Sequence, residues 1–262
     1  MDLAKLNSLD PQNLLRVRAA AAVMLEQRLQ NEQMQLRVTS EQAKVAEEQM
    51  HQRSARVQEA MRHPYHWATQ HTQTYNEHWL KEGRPSPYEP FPQKPYFKPV
   101  FDLILSGPIW WFEKSRDMML SWECVAYFMW EAQRTPLCGV LLQCQKEKKA
   151  EQLISYAKCL WERQPDWLRE QFPLARPLSR QASLELEFSS GSYFQGIPGG
   201  ADQIRSYHSW GYLNDESAFQ PDAGECYNEA ISAVAGKIIF NSSAGPGWYA
   251  DARNDAVLNV EG

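Results

Sequence analysis

The sequence lacks a long apolar run, and its cysteines are too scattered for a metal or disulfide framework. No stretch approaches the ~18 consecutive apolar residues that span a bilayer, so we expect no membrane partner. The first ten residues, MDLAKLNSLD, lack the apolar core of a signal peptide, so we expect no export. The five cysteines form no CxxC pair and no Cys/His metal spacing, which indicates free thiols in a reducing cytoplasm.

An excess of positive charge is also absent. The formal net charge is −5, whereas proteins that coat nucleic acid are usually basic. Any contact with DNA would therefore use a local patch or a part that is missing from this sequence. Lys146, Lys148 and Lys149 form a modest basic cluster at a predicted helix start. Such a cluster is more typical of a solvated face than of a DNA-binding surface.

The N-terminal part predicts a long helix. Residues 10–62 contain no glycine, and their one proline is Pro11. Asp10 suits an N-cap and Pro11 suits the first helical position. Thr39-Ser40-Glu41-Gln42 matches a capping box, which predicts a break and restart near position 39. Because the heptad pattern is too weak for a coiled coil, residues 1–62 form either an arm that docks a partner subunit or a solvated helix.

The next segment, residues 63–100, has a different composition. Aromatic residues alternate with prolines, and five of the 16 prolines lie between Pro85 and Pro95. Proline removes a backbone donor and fixes φ, so it disfavours the interiors of helices and strands. The segment therefore predicts an ordered loop whose aromatic side chains anchor it to a surface.

Strands and helices alternate over most of the remaining chain. The predicted strands are Ile109–Phe112, Gly139–Gln143, Leu184–Phe188, Tyr193–Gln195, Ser209–Asn214 and Lys237–Asn241. The predicted helices are Trp122–Gln133, Lys146–Arg163 and Ala223–Ala235. Alternation of this kind predicts an α/β fold, a mainly parallel sheet flanked by helices. The turn Ser189–Ser192 joins the third and fourth strands as a hairpin.

The segment Lys114–Ser121, KSRDMMLS, is the first candidate part of a nucleotide site. It lies between an apolar strand and a helix, where backbone N–H groups and a helix N-terminus can hold phosphate. The standard phosphate loop has the pattern G-x-x-x-x-G-K-S/T. With Ser121 at the final position, Lys114 occupies the place of the first glycine, and Met119 and Leu120 occupy those of the second glycine and the lysine.

The chemistry of a phosphate loop is still available from these residues. Lys114 can reach the phosphates from the start of the loop, and Ser121 can ligate Mg²⁺. Arg116 can stabilise charge on the transferred phosphate, whereas Asp117 is expected to point away from it. The alternative is that Lys114 and Arg116 are ordinary polar residues that close a strand.

Two later strands end in further candidate groups. The strand that ends at Asn214 is followed by Asp215 and Glu216, of which Asp215 would hold Mg²⁺ and Glu216 would orient the attacking water. The last predicted strand is followed by Ser242-Ser243-Ala244 and a Gly/Pro turn, where hydroxyls can sense the γ-phosphate. In parallel α/β sheets such groups share the edge where ligands bind, although an ordinary strand exit also has turn residues.

In this order, the three parts resemble the ATPase domain of the large terminase subunit, the motor that packages DNA into the heads of tailed bacteriophages. The phosphate loop of that family often has its lysine at the start, as in KSRDMMLS. Its Walker B motif ends in Asp-Glu, as in YLNDESAF, and a Ser/Thr coupling motif follows, as in NSSAGPGWY. The PYEPFPQKPYF segment resembles the family's adenine-side segment, with Gln93 as the adenine-reading candidate.

The resemblance covers roughly residues 63–262 and implies a RecA-like P-loop NTPase fold of the ASCE division. It implies a catalytic set of Lys114, Arg116 and Glu216, a Mg²⁺ site at Ser121 and Asp215, and coupling by Ser242, Ser243 and Ala244. The loop residues expected to contact ATP are Lys114, Ser115, Arg116, Asp117, Met118, Met119, Leu120 and Ser121.

The same resemblance implies partners and a location. We expect double-stranded DNA, a portal protein, a small terminase subunit and a homo-oligomeric ring on the prohead, in the host cytoplasm.

The nuclease domain of the family is not expected in this chain. A helicase-like motor would need a second lobe. A non-catalytic assembly module with a degenerate nucleotide site stays the main alternative.

Overall fold

The computed structural model describes residues 11–258, apart from the side chains of residues 11–21, 253 and 256–258. The chain divides into two compact units, Met1–Val57 and Gln58–Gly262. None of the helices in the described part is long and apolar enough to cross a bilayer. All five cysteines are buried and free.

Helix α1, Pro11–Ala60, is the main element of the first unit. It is continuous through Thr39, so the predicted break near position 39 is wrong. The Thr39 hydroxyl donates to the Gln35 carbonyl one turn earlier, at 2.9 Å, so it does not cap a new helix. The predicted cap at Asp10 lies outside the described residues.

The aromatic and proline-rich segment has more regular structure than predicted. It contains helix α2, Pro64–His71, the short strands β1, Gln73–Tyr75, and β2, Tyr88–Pro90, and the start of helix α3, Phe97–Ser106. β1 and β2 pair antiparallel. Proline is tolerated in the first turn of a helix and on edge strands, which explains why Pro64 and Pro90 do not prevent these elements.

The central sheet has six strands, and its predicted character is confirmed. Its strands are β3, Ile109–Lys114; β4, Gly139–Gln143; β5, Glu185–Glu187; β6, Tyr193–Ile197; β7, Ser209–Asp215; and β8, Val234–Ser243. The order is β3-β8-β7-β4-β6-β5. All neighbours are parallel except the predicted hairpin β5–β6.

Helices cover both faces of this sheet. They are α4, Leu120–Arg134; α5, Glu147–Glu162; α6, Asp166–Gln171; α7, Ala201–Arg205; α8, Ala223–Ala233; and α9, Trp248–Leu258. Alternate residues of the strands enter two separate cores: Val140 and Leu142 lie in the larger core, and Leu141 lies in the smaller one. Strands that are buried on both faces explain the unbroken apolar runs in the sequence.

The position of β8 decides which strand ends become neighbours. β8 lies between β3 and β7, so Lys114 pairs with Ser243 on one side and Asp215 pairs with Asn241 on the other. The carboxyl ends of all three strands therefore meet at one edge of the sheet. No strand order was predicted from the sequence, so the place of β8 between the phosphate-loop strand and the Asp-Glu strand is a finding of the structure.

Candidate nucleotide site

The candidate phosphate loop is short and has no glycine. Lys114 is the last residue of β3, and Ser121 is the second residue of α4. Between them, Asp117 and Met119 adopt left-handed backbone conformations, with φ of 62° and 56°. Each costs about 1 kcal/mol in a residue with a side chain, although Asp tolerates this region better than Met. The loop thus makes the turns of a phosphate loop without the glycines that usually make them.

The Ser121 hydroxyl contacts the carboxylate of Asp215. Its Oγ donates to Oδ1 at 2.9 Å and to Oδ2 at 3.0 Å. Ser121 is placed by the first turn of α4 and Asp215 by the end of β7. The structure therefore brings together the two residues that were predicted to hold Mg²⁺.

Asn241, which was not among the predicted site residues, completes this contact. Its Nδ2 donates to Asp215 Oδ1 at 2.6 Å and to Ser121 Oγ at 3.3 Å. Its Oδ1 is buried and accepts no hydrogen bond from the described residues. A buried acceptor without a partner is costly, so it marks a place for a donor such as a water. The available signal was a polar residue directly before Ser242 in an apolar strand.

Burial controls the ionisation of Asp215. The side chain is 7% exposed, and this burial raises the pKa of Asp215 to about 6. The hydrogen bond from Ser121 and the charge of Lys114 oppose the rise in pKa, whereas the charge of Glu216 adds to it. At neutral pH the carboxylate is therefore mostly ionised and able to ligate a cation.

Glu216 follows directly and is turned out of the strand. Its φ of 57° is left-handed, and its side chain is exposed. Behind it, the Gln220 side chain donates to the Asp215 carbonyl oxygen at 2.9 Å. Two adjacent carboxylates thus differ in environment, because one is buried among donors and the other faces solvent.

These residues line a pocket of about 270 Å³. The loop and the strand ends contribute Lys114, Asp117, Met119, Leu120, Ser121, Cys144, Asp215 and Glu216. Other residues come from α4 and α5: Trp122, Lys149, Gln152, Leu153 and Tyr156. Asp117, which we expected to point away from phosphate, lines the pocket.

The other predicted residues do not line the pocket. Ser115, Arg116 and Gln93 are exposed. The segment that contains Gln93 nevertheless reaches the loop, since the Tyr96 hydroxyl donates to the Met118 carbonyl at 3.2 Å. Met118 does not line the pocket either, and the predicted ATP contacts of these four residues remain predictions.

The predicted coupling residues lie beside the site. Ser242 is buried, and its Oγ accepts a hydrogen bond from the Ala218 N–H at 3.1 Å. Ser243 is partly exposed and Ala244 is exposed. Ser242 therefore connects the end of β8 to the 3₁₀ turn Ser217–Phe219 that follows Glu216.

The donor set fits Mg²⁺ with a nucleotide. Within the described part of the chain, no group of three or more His, Cys, Asp or Glu side chains forms a complete metal site. Mg²⁺ with a nucleotide does not need one, because it prefers oxygen ligands and takes one or two from the protein beside phosphates and waters. Ser121 and Asp215 provide such oxygens.

Comparison with known proteins finds similar structures but no similar sequence. No family model matches the sequence, and no curated protein sequence matches it. Among solved structures, the large terminase of HK97 bacteriophage matches with a TM-score of 0.51 and 10% identity. The match covers 66% of this chain and 38% of that protein. About two thirds of this chain shares the fold of part of a phage large terminase.

Two further terminases have lower scores. The large terminase ATPase domain of a Thermus phage matches with a TM-score of 0.43 and 13% identity, over 68% of this chain and 73% of that one. A large terminase from a thermophilic bacteriophage in complex with ADP has a TM-score of 0.34 and 15% identity, over 52% of this chain and 33% of that one. The assignment of the terminase fold rests on the HK97 match.

Proposed function

We propose that this chain is a Mg²⁺-dependent ATPase that couples ATP hydrolysis to movement of double-stranded DNA into a prohead. The observation that carries the proposal is the contact of Ser121 with both carboxylate oxygens of Asp215, in a pocket that Lys114 and Glu216 also line. A P-loop NTPase needs a hydroxyl and a carboxylate for the metal, a cation for the phosphates and a group that orients water. One pocket contains all four.

Each residue has a defined part in the reaction. Ser121 and Asp215 would hold Mg²⁺, which neutralises charge on the β- and γ-phosphates when bound. Lys114 and Arg116 would offset the remaining phosphate charge, with Arg116 turning inward from its exposed position. Glu216 would orient and polarise the water that attacks the γ-phosphorus in line. A solvent-facing carboxylate suits this task, because water reaches it.

Movement would follow from the loss of the γ-phosphate. Ser242 and Ser243 lie at the end of β8, between the loop strand and the Asp-Glu strand. The hydrogen bond from the Ala218 N–H to Ser242 links this strand to the turn after Glu216. A movement of Glu216 on phosphate release would therefore affect both the end of β8 and the turn that follows Glu216.

The proposed partners follow from the same function. They are double-stranded DNA, a portal protein, a small terminase subunit and further copies of this chain in a ring on the prohead, in the host cytoplasm. The negative net charge of the chain agrees with contact to DNA through a limited surface.

Two variants test the proposal. Lys114→Ala should abolish both ATP binding and hydrolysis, because the loop loses its strand-end cation. Glu216→Gln should keep binding and lower hydrolysis by about 100-fold or more. Fluorescent ATP titration and phosphate release, with DNA and assembled rings present, measure the two steps. Normal hydrolysis by either variant would refute the site.

A non-catalytic assembly module is the second candidate. The observation that favours it is that the two left-handed positions of the loop are occupied by Asp117 and Met119 and not by glycine. Under this alternative, wild-type chain shows no saturable, Mg²⁺-dependent binding of the fluorescent ATP analogue. Saturable binding would exclude a purely structural role for the pocket.

A further inference from the structure

The basic cluster at the start of α5 does not act as one unit. Lys146, Lys148 and Lys149 are all exposed, and of these three Lys149 alone lines the nucleotide pocket. The helix turn explains the difference, since adjacent residues on a helix face directions about 100° apart. Lys149 therefore differs from Lys146 and Lys148 in its position relative to the pocket, although the three lysines look equivalent in the sequence.

The Lys149 amine is held without a carboxylate partner. Its Nζ donates to Gln152 Oε1 at 3.2 Å, and Gln152 Nε2 donates to Glu77 Oε1 at 2.6 Å. No salt bridge pairs Lys149 with an acidic residue within the described part of the chain. An ammonium group has three donors, so the amine has two further donor positions for a ligand.

Because acidic groups outnumber basic groups in the pocket, bound ATP would need a second cation besides Lys114. Asp117, Asp215 and Glu216 give it three acidic groups, against the two basic groups Lys114 and Lys149. The triphosphate of ATP would add several negative charges. Because Arg116 is exposed and does not line the pocket, Lys149 is the second cation that is already in place.

The strand order places Lys149 on the opposite side of β7 from Lys114. Lys114 ends β3, Asp215 ends β7, and Lys149 follows β4 on the other side of β7. Glu216, which would orient the attacking water, follows β7 and so comes between the two lysines in strand order. The terminal phosphate must be near that water, in the pocket that Glu216 and Lys149 both line.

We propose that Lys149 binds the terminal phosphate of ATP, opposite Lys114, and that Gln152 and Glu77 hold its amine in place. This inference rests on the proposed ATPase function and names one more phosphate-binding residue in that site. A contact with the γ-phosphate distinguishes ATP from ADP, whereas a general basic surface would bind both.

The test compares two neighbouring lysines. Wild type, Lys149→Ala, Lys149→Arg and Lys148→Ala are each titrated, with Mg²⁺, against a fluorescent non-hydrolysable ATP analogue and the matching ADP analogue. A charged hydrogen bond to phosphate is worth enough that Lys149→Ala should weaken the ATP analogue by about tenfold or more. The ADP analogue should change by less than about twofold, and Lys149→Arg should restore part of the loss. Lys148→Ala should match wild type for both nucleotides.

The outcomes separate this inference from the proposed function. If wild type binds neither analogue, both are wrong. If wild type binds both and Lys149→Ala binds the ATP analogue equally well, the inference alone is wrong. It is also wrong if Lys149→Ala loses ATP and ADP affinity to the same extent, or if Lys148→Ala causes the same loss.

Discussion

The Oγ of Ser121 lies 2.9 Å and 3.0 Å from the two carboxylate oxygens of Asp215, although the two residues are 94 positions apart in the chain. Asn241 donates to the same carboxylate from the neighbouring strand, at 2.6 Å. Side chains from a helix and two strands are thus held together by direct hydrogen bonds. Such preorganisation reduces the cost of ordering ligands when a cation binds.

Replacing Ser121 should weaken the use of Mg²⁺. Ser121→Ala removes one oxygen ligand and also a donor that lowers the pKa of Asp215. Losses of this kind typically cost ~10–100-fold in metal affinity. A Mg²⁺ titration of fluorescent ATP binding measures the effect, with Ser232→Ala, an exposed helix serine, as control. An unchanged Mg²⁺ requirement in Ser121→Ala would refute its role as a ligand.

Replacing Asn241 should affect both folding and the site. Asn241→Ala leaves Asp215 Oδ1 with one donor fewer in a buried place, which costs about 1–3 kcal/mol in the free energy of unfolding. It should also raise the pKa of Asp215 further, because Asn241 normally opposes that rise. Urea denaturation and the Mg²⁺ titration report the two effects. Asn228→Ala, at an exposed helix position, should change neither; if Asn241→Ala behaves like it, Asn241 does not position Asp215.

Removing the charge of Asp117 should strengthen nucleotide binding. Asp117 lines the pocket and would repel phosphate. Asn tolerates the left-handed φ of 62°, so the loop should keep its shape. We expect Asp117→Asn to bind ATP about 2–5-fold more tightly at low salt, with the gain lost near 1 M salt because of screening. Equal affinity of the two proteins at low salt would place the carboxylate away from the phosphates.

Glu123 should make stability fall as pH rises. It is fully buried in α4, and no donor within the described part of the chain reaches either carboxyl oxygen. Burial raises the pKa of Glu123 from 4.5 to about 9. Below 4.5 the group is protonated in both states. Between 4.5 and 9 the unfolded chain loses its proton while the folded chain keeps it, so stability is lost across this window.

A neutral replacement tests this pH dependence. Glu123→Gln should be more stable than wild type by on the order of 3 kcal/mol at pH 7, and the difference should shrink towards pH 5. Thermal unfolding between pH 5 and pH 8 measures it. Glu225→Gln, at an exposed helix position, should show no such trend. A constant difference between Glu123→Gln and wild type at all pH values would contradict the buried, protonated carboxyl.

Local patterns predicted most elements, and the errors have identifiable causes. Apolar runs predicted the central strands of the sheet, because strands buried on both faces need continuous apolar residues. The edge strand at Leu184–Phe188 was predicted from its period-two alternation instead. Thr39-Ser40-Glu41-Gln42 predicted a break that does not exist, since a capping box also fits within a continuous helix. The composition of residues 63–100 concealed two short helices and a pair of strands, because proline is tolerated at their first turns and edges.

The sequence by itself determined the chemistry available to this protein: an apolar strand followed by Lys114, a helix-start Ser121, and carboxylates at Asp215 and Glu216. Tertiary structure alone decided that β8 lies between β3 and β7. That order brings Asn241 to Asp215, and the turn of α5 brings Lys149 into the pocket while Lys148 stays outside it. The reason is physical: residue type and spacing specify local conformation, whereas neighbours across a sheet depend on how the whole core packs.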